Sequence, residues 1–508
     1  MERFNTNNTY STGNEKGVKL LPILLLFGFI FFSGLTLLVL MTDNFDFLAR
    51  PYLVPWVILT GIALIIPPVV LWYKNKFQIY HPLVFPVLFY FLPSFFFGGI
   101  ILILGLNEPY FMSFVQDQNY NLPLTLVIVI IGFAGLTVGF VFPWAGSIGQ
   151  KIGEFLPVWK WDDEFIIFPG VFLLILGFFN NILGFLIGII GFQKADEIGT
   201  YDGLIFLTTL LWMQASFMLW TAIFRRRKWD FKAFMVIFAL VLTSLLKAIL
   251  AGNRGTLLQV FIIILLSYVF SGRIIKFKQG VVLATVMMVV VIVGMIYGTT
   301  FRNVKGTEEQ VETSKYIDDI SKTFDTIGNT DPVKSLELSF YTLTERLEAV
   351  SSLAVVVSNY EQLRPYEESY GIDNNIYKDT ITFIVPRVIW KEKPVASEPR
   401  RYSELYFDYG ESSFTITPMG DLLRNFGMWG VPLGMLLLGF IVRILYSALI
   451  ENQPFSYWRS VLFFMTVPSI SYESFYGSII PYMFKVGVIT VIGIIITHFL
   501  IRKISYRE

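Results

Sequence analysis

Val281-Val-Leu-Ala-Thr-Val-Met-Met-Val-Val-Val-Ile-Val-Gly-Met-Ile-Tyr-Gly-Thr299 is followed at once by Thr300-Phe-Arg-Asn-Val-Lys-Gly-Thr-Glu-Glu309. The first stretch carries no charge. The second opens a polar segment that runs from Phe301 to about Met419 before apolar sequence returns. As a helix rising about 1.5 Å per residue, the uncharged run crosses a ~30 Å hydrocarbon layer. A chain that only had to cross a membrane would have no use for so long a polar interruption. Chemistry at a membrane surface does, so the sidedness of this segment bears directly on function.

Working outward, Val18–Met41, Val54–Tyr73, Pro82–Leu106, Leu122–Phe142 and Phe165–Phe192 are further long runs with almost no charge. The chain is 55% hydrophobic with 50 Phe among 508 residues, more apolar sequence than a soluble core of this size requires. The expectation is an all-α polytopic membrane protein with about twelve transmembrane helices and one large, mainly helical extracytoplasmic loop between the ninth and tenth spans. The segments are a tail over 1–17, nine spans over 18–299, the loop over 300–419, three spans over 420–501 and a second tail over 502–508. The polar start and long first run predict a retained first helix rather than a cleaved signal.

Net charge of +1 suggests no nucleic-acid partner, and the lack of cysteine removes disulfides, thiol catalysis and thiolate metal sites. Orientation follows from basic residues, which stay on the cytoplasmic side of short loops. Lys74 and Lys76, Lys151 and Lys160, Arg225 to Lys228, and Arg273 to Lys278 fall on one side; the turns between them are poor in Lys and Arg. Both termini are then cytoplasmic and the long loop is outside. The last spans are the least regular: Trp458–Ser469 is short and Ser471–Ser478 is polar, which fits a broken or re-entrant helix.

Inside the loop, Asp331-Pro332 reads as a helix start, with one helix predicted from Pro332 to about Tyr360. Arg346 on that helix has Thr342, Leu343, Ala349 and Val350 at three- and four-residue spacing, which predicts a buried guanidinium in need of a partner, either a loop carboxylate or a ligand anion. Arg254, in Ala251-Gly-Asn-Arg-Gly255 at the start of a span, suits an anion at a helix N-terminus and equally suits a snorkelling interfacial Arg. Arg302 directly follows a span. Phe383-Ile-Val-Pro-Arg-Val-Ile-Trp-Lys-Glu-Lys-Pro394 sets Arg387, Lys391 and Lys393 around Trp390. Cation and aromatic ring together suit a sugar phosphate; they also suit an interfacial belt. His81 and His498 lie at the cytoplasmic side, so a general base outside has to be a carboxylate or, failing that, a Tyr. Asp421, in Pro418-Met-Gly-Asp-Leu-Leu-Arg-Asn-Phe-Gly427, is the first choice and Glu404 the second. No metal-type spacing, Walker loop or nucleophile elbow occurs, and neither metal nor cofactor is expected.

Three of these motifs together resemble the Wzy-type O-antigen and oligosaccharide repeat-unit polymerases. They are Gly-Asn-Arg-Gly at the start of a middle span, Pro-Arg-Val-Ile-Trp-Lys-Glu-Lys-Pro late in the outer loop, and Gly-Asp-Leu-Leu-Arg-Asn-Phe-Gly-Met-Trp-Gly before the next span. The resemblance implies a membrane glycosyltransferase of the cytoplasmic membrane. A glycan on polyprenyl pyrophosphate is the donor, a second lipid-linked repeat unit supplies the acceptor hydroxyl, and lipid pyrophosphate leaves. It also admits a chain-length regulator as a partner. On this reading Arg254, Arg346 and Arg387 hold pyrophosphate with Arg302 and Lys393 in support, Trp390 is a sugar platform, and Asp421 or Glu404 is the base. An Arg-x10-Gly pattern found in some members is not evident, and there is no outer-face His. A glycan ligase and a lipid-linked oligosaccharide flippase are the alternatives; clustered Arg in a large outer loop favours an enzyme over the flippase.

Overall fold

The computed structural model describes residues 49–106, 109–190, 201–226, 230–251, 254–273, 275–306, 313–331, 342–385, 389–390, 392–393, 397–410, 414 and 416–505. The expected first span and both expected tails, apart from 502–505, lie outside the described residues. What is described is all helix, with no β-strand. The helices are α1 (Val54–Tyr73), α2 (Val87–Ile103), α3 (Gln118–Val141), α4 (Pro143–Phe155), α5 (Ile167–Leu186), α6 (Asp202–Arg225), α7 (Phe231–Ala251), α8 (Arg254–Phe270) and α9 (Phe277–Lys305). They continue with α10 (Thr313–Asn329), α11 (Val350–Leu363), α12 (Asn375–Thr382), α13 (Pro399–Phe407), α14 (Pro418–Phe426), α15 (Gly430–Leu449), α16 (Tyr457–Thr466) and α17 (Tyr476–Ser505).

Seven of the described helices are long and apolar enough to cross a membrane: α1, α3, α5, α6, α7, α15 and α17. α2 and α8 are shorter apolar helices. The first eleven residues of α2 are π-helical and contain Pro93, whose ring has no N–H to give to the preceding turn. The bundle is held by close approach of backbones. Gly132, Gly135 and Gly139 of α3 and Gly146, Gly149 and Gly153 of α4 face α15 along its length. A Cβ at Gly139 would lie 2.0 Å from the Leu436 carbonyl oxygen, and one at Gly439 would lie 2.1 Å from that of Leu136. Small residues at such a crossing let dispersion and weak backbone contacts act where lipid gives no hydrophobic drive. Where α4 and α15 end, the buried Arg459 donates to the Gly153 carbonyl at 2.9 Å and the Ala448 carbonyl at 3.4 Å. A cation at two helix C-termini meets both the orphan carbonyls and the negative end of each dipole.

The polar segment is not a separate lobe. α11 packs against α3 and α14, and Val350 through Val357 are buried. α10 is anchored by Tyr316, whose hydroxyl donates to the Leu250 carbonyl at 2.6 Å and whose ring meets Phe185 and Phe301.

One expectation is corrected here. The helix expected from Pro332 to about Tyr360 lies outside the described residues over 332–341 and is interrupted beyond them: the helical stretch 342–347 ends, Glu348 and Ala349 leave the helix, and α11 starts afresh at Val350. The Ala349 N–H donates to the Ser94 carbonyl of α2 at 3.2 Å instead of continuing the helix, so a tertiary bond replaces a local one. The rotation between the two helices removes Arg346 from the buried face, and its side chain is exposed. The stretch Trp458–Ser469, read as short, holds the ten-residue α16, which is largely buried and shorter than the about twenty residues a span needs.

Candidate functional site

α14 begins in a regular way. The Thr417 hydroxyl accepts the Gly420 N–H at 3.0 Å, Pro418 occupies the first turn, and Gly427 at φ +68 stops the helix. Its three- and four-residue spacing puts Asp421, Arg424 and Asn425 on one face. That face meets α12 and the segment around Glu367. Arg424 Nη2 donates to Asp421 Oδ1 at 2.9 Å and to Asn375 Oδ1 at 2.6 Å. Its Nη1 reaches Glu367 Oε1 at 3.0 Å and the Ile372 carbonyl at 3.0 Å. Asp421 Oδ2 accepts from Asn375 Nδ2 and from the Gly477 N–H of α17, both at 3.1 Å. Asn425 Nδ2 adds a 3.2 Å bond to Asp421 Oδ1, and the Tyr406 hydroxyl donates to Glu367 at 2.9 Å. Burial pushes the Glu367 carboxyl above its ordinary range while Arg424 pulls it back. Five elements thus meet in one buried ionic network.

Asp421 is therefore not placed as a base in an open cavity. It is 0% exposed and both of its oxygens are engaged, so an acceptor hydroxyl has no free lone pair to approach. Its geometry is that of a buried carboxylate holding an Arg. Glu404 is exposed on α13, 3.8 Å from Arg401, and is open to a ligand.

Of the predicted cations, two come together. Arg302, on the last turn of α9, and Arg346, in the helical stretch 342–347, lie within electrostatic reach of each other. Lys393 donates to the Val385 carbonyl at 3.1 Å, which folds the Trp390 segment back on itself; Trp390 is exposed. Lys393 also lies within electrostatic reach of Asp379. Arg254 opens α8, but its side chain lies outside what the structure describes, as do Arg387 and Lys391. His81 is buried against Phe140 and Tyr446, and His498 stacks on Trp159 at 4.3 Å.

With this geometry in hand, a family model described as "Domain of unknown function (DUF8712)" matches residues 178–458, more than half of the chain. The chain belongs to that family. No curated protein matches, and no solved structure matches. The matched region takes in Arg302, Arg346, Glu404 and the Asp421–Arg424 network apart from Gly477, and stops before α17.

Sequence reasoning passed over Glu348. Its carboxylate accepts the Ser351 N–H at 2.7 Å and the Ser351 hydroxyl, so it caps α11. Burial pushes it up to about 7, against the pull of those hydrogen bonds and of Arg50. The signal was present: an acidic residue three before Ser351, at the head of the uncharged run Ala349–Val357. It was hidden by reading one continuous helix through it. The role of Arg424 was legible too, as an Arg three residues after an Asp in an otherwise apolar turn.

Proposed function

We propose that this protein is a membrane glycosyltransferase that joins polyprenyl-pyrophosphate-linked oligosaccharide repeat units at the outer face of the cytoplasmic membrane, with about twelve spans, cytoplasmic termini and the 300–419 loop outside. What most supports this reading is that Arg302, at the end of a long apolar helix, and Arg346, in the polar segment, lie within electrostatic reach of each other. A pyrophosphate oxygen set is matched to planar guanidinium donors. In the proposed reaction the acceptor hydroxyl oxygen forms a bond to the anomeric carbon of the donor. The bond from that carbon to the pyrophosphate oxygen breaks, and its electron pair leaves with the lipid pyrophosphate. Arg302 and Arg346, with Arg254 and Arg387, stabilise that growing charge. Glu404 takes the hydroxyl proton, because its carboxylate is reachable; Asp421 holds the floor of the site through Arg424. Trp390 and Lys393 receive the sugar. Lipid tails lie along the spans.

The test is complementation of cells lacking the protein with wild type, Arg302→Gln or Arg346→Gln, each matched for amount in the membrane. Both variants are expected to lose long lipid-linked glycan and accumulate single repeat units. Normal polymer from both would remove the assignment of pyrophosphate to this pair.

A further inference from the structure

α12 and its continuation through Val385 run alongside the start of α17. Two contacts set the register. A Cβ at Gly477 would lie 2.9 Å from the Ile376 Cα, and the Phe383 and Phe484 rings meet with centroids 5.1 Å apart. Both pairs have the same offset, so the two segments run parallel. From Ile376 to Phe383 the loop therefore descends about 10 Å along a helix long and apolar enough to cross a membrane. Gly477 is what allows the approach, since any side chain there would strike the α12 backbone.

The face that α12 turns away from α17 is mainly apolar, with Thr380 the polar residue exposed on it. Asn375, Ile376 and Thr382 are buried against the protein, while Tyr377, Ile381 and Ile384 are 67%, 53% and 65% exposed. Those three positions repeat at helical spacing and form one stripe. On α17 itself Phe484, Val488, Ile492, Ile495 and Phe499 are exposed along the span. The two stripes join where Phe383 touches Phe484. At the outer end the charges are paired, Lys378 Nζ lying 2.6 Å from Asp373. Lys485, one residue past Phe484, lies within electrostatic reach of Asp379 of α12. A cation two turns into a span needs such a neighbour.

We propose that Asn375–Val385 is a re-entrant element of the loop, embedded in the leaflet where α17 begins, with Tyr377, Ile381 and Ile384 facing the acyl chains of membrane lipid. Its occupant is lipid because the exposed stripe continues the lipid-facing surface of a span. Tyr377, at the shallow end, sits at headgroup level, where amphipathic rings concentrate. This inference stands whether or not the protein transfers sugars.

The chain has no cysteine, so single thiols can be placed and spin-labelled in the full-length protein in lipid nanodiscs. Labels go at Tyr377→Cys, Ile381→Cys and Ile384→Cys, with Val488→Cys as the lipid reference and Glu368→Cys as the aqueous one. Collision with oxygen and with a water-soluble nickel complex is then compared. The expected result is an oxygen-to-nickel ratio at Ile381→Cys and Ile384→Cys close to that of Val488→Cys and severalfold above Glu368→Cys. Ile384→Cys should also register deeper than Tyr377→Cys. Nickel access equal to the aqueous reference would overturn the proposal and return the segment to water. Access to neither reagent would overturn it in favour of a second protein surface covering the stripe. Correct folding of each variant is checked by its elution profile, and since all three positions are exposed, labels at two of them suffice.

Discussion

At the scale of single residues, the loop's carboxylates divide by environment. In the sequence Asp421 is the first choice for a base, because it sits where the loop re-enters apolar sequence, and Glu404 is the second. Structure separates them: one is sealed in a network and the other is exposed. Breaking a buried ion pair by removing one partner costs about 3–5 kcal/mol, because it strands the other charge. Asp421→Ala should therefore lower the thermal midpoint of the purified protein strongly, while Glu404→Gln should leave it unchanged and reduce glycan polymer. A stable, inactive Asp421→Ala would instead return Asp421 to the chemistry. Glu348 makes a second residue-scale prediction. Its folded value of about 7 lies above its ordinary value of 4.5, so between those pH values the folded chain binds more protons than the unfolded one. Stability contributed by the neutral form is fully present below about 4.5 and is lost as pH rises to about 7. The amplitude is about 3 kcal/mol from the size of the shift. Unfolding measured from pH 5 to 8 should show this slope in wild type and a flatter one in Glu348→Gln; equal slopes would mean that Glu348 does not hold its proton.

At the scale of elements, what was legible were the long apolar helices. The predicted run Val54–Tyr73 coincides with α1, and Leu122–Phe142 overlaps α3 (Gln118–Val141) over all but its last residue. Hydropathy suffices there because a long uncharged run has one favourable form in lipid. It did not reveal the break at Glu348–Ala349, the folding of α11 against α3, or the descent of α12 along α17. Each depends on a partner distant in sequence: Ser94 for the break, Asn359 Nδ2 donating to the Phe114 carbonyl just before α3 for α11, and Gly477 for α12. The glycines of α3 and α15 were visible as letters but not as an interface, because their meaning lies in which backbone faces them. Gly139→Leu should separate α3 from α15, since even a Cβ meets backbone at 2.0 Å and backbone does not yield. Overpacking of a tight interior typically costs about 1–3 kcal/mol, and more when the obstacle is main chain. Loss of the monodisperse, folded protein on gel filtration is expected for Gly139→Leu and not for Gly203→Leu, where nothing lies within 4 Å.

At the scale of the whole molecule, the polar segment and the spans act as one body. The Asp421–Arg424–Glu367 network joins α12, α13, α14 and α17, and α11 is wedged between α3 and α14. A loop so tied can hold cations at a membrane face with little reorganisation, which is what electrostatic stabilisation of a leaving pyrophosphate requires. The measurement that bears most directly on the proposed polymerase is a gel of lipid-linked glycans from cells with and without this protein. A ladder of lengths with the protein, and a single repeat unit on the outer face without it, is the predicted result. An unchanged ladder in its absence would contradict the account: if that ladder failed to move to another lipid, the protein would be a ligase. Repeat units stranded on the cytoplasmic face would make it a flippase.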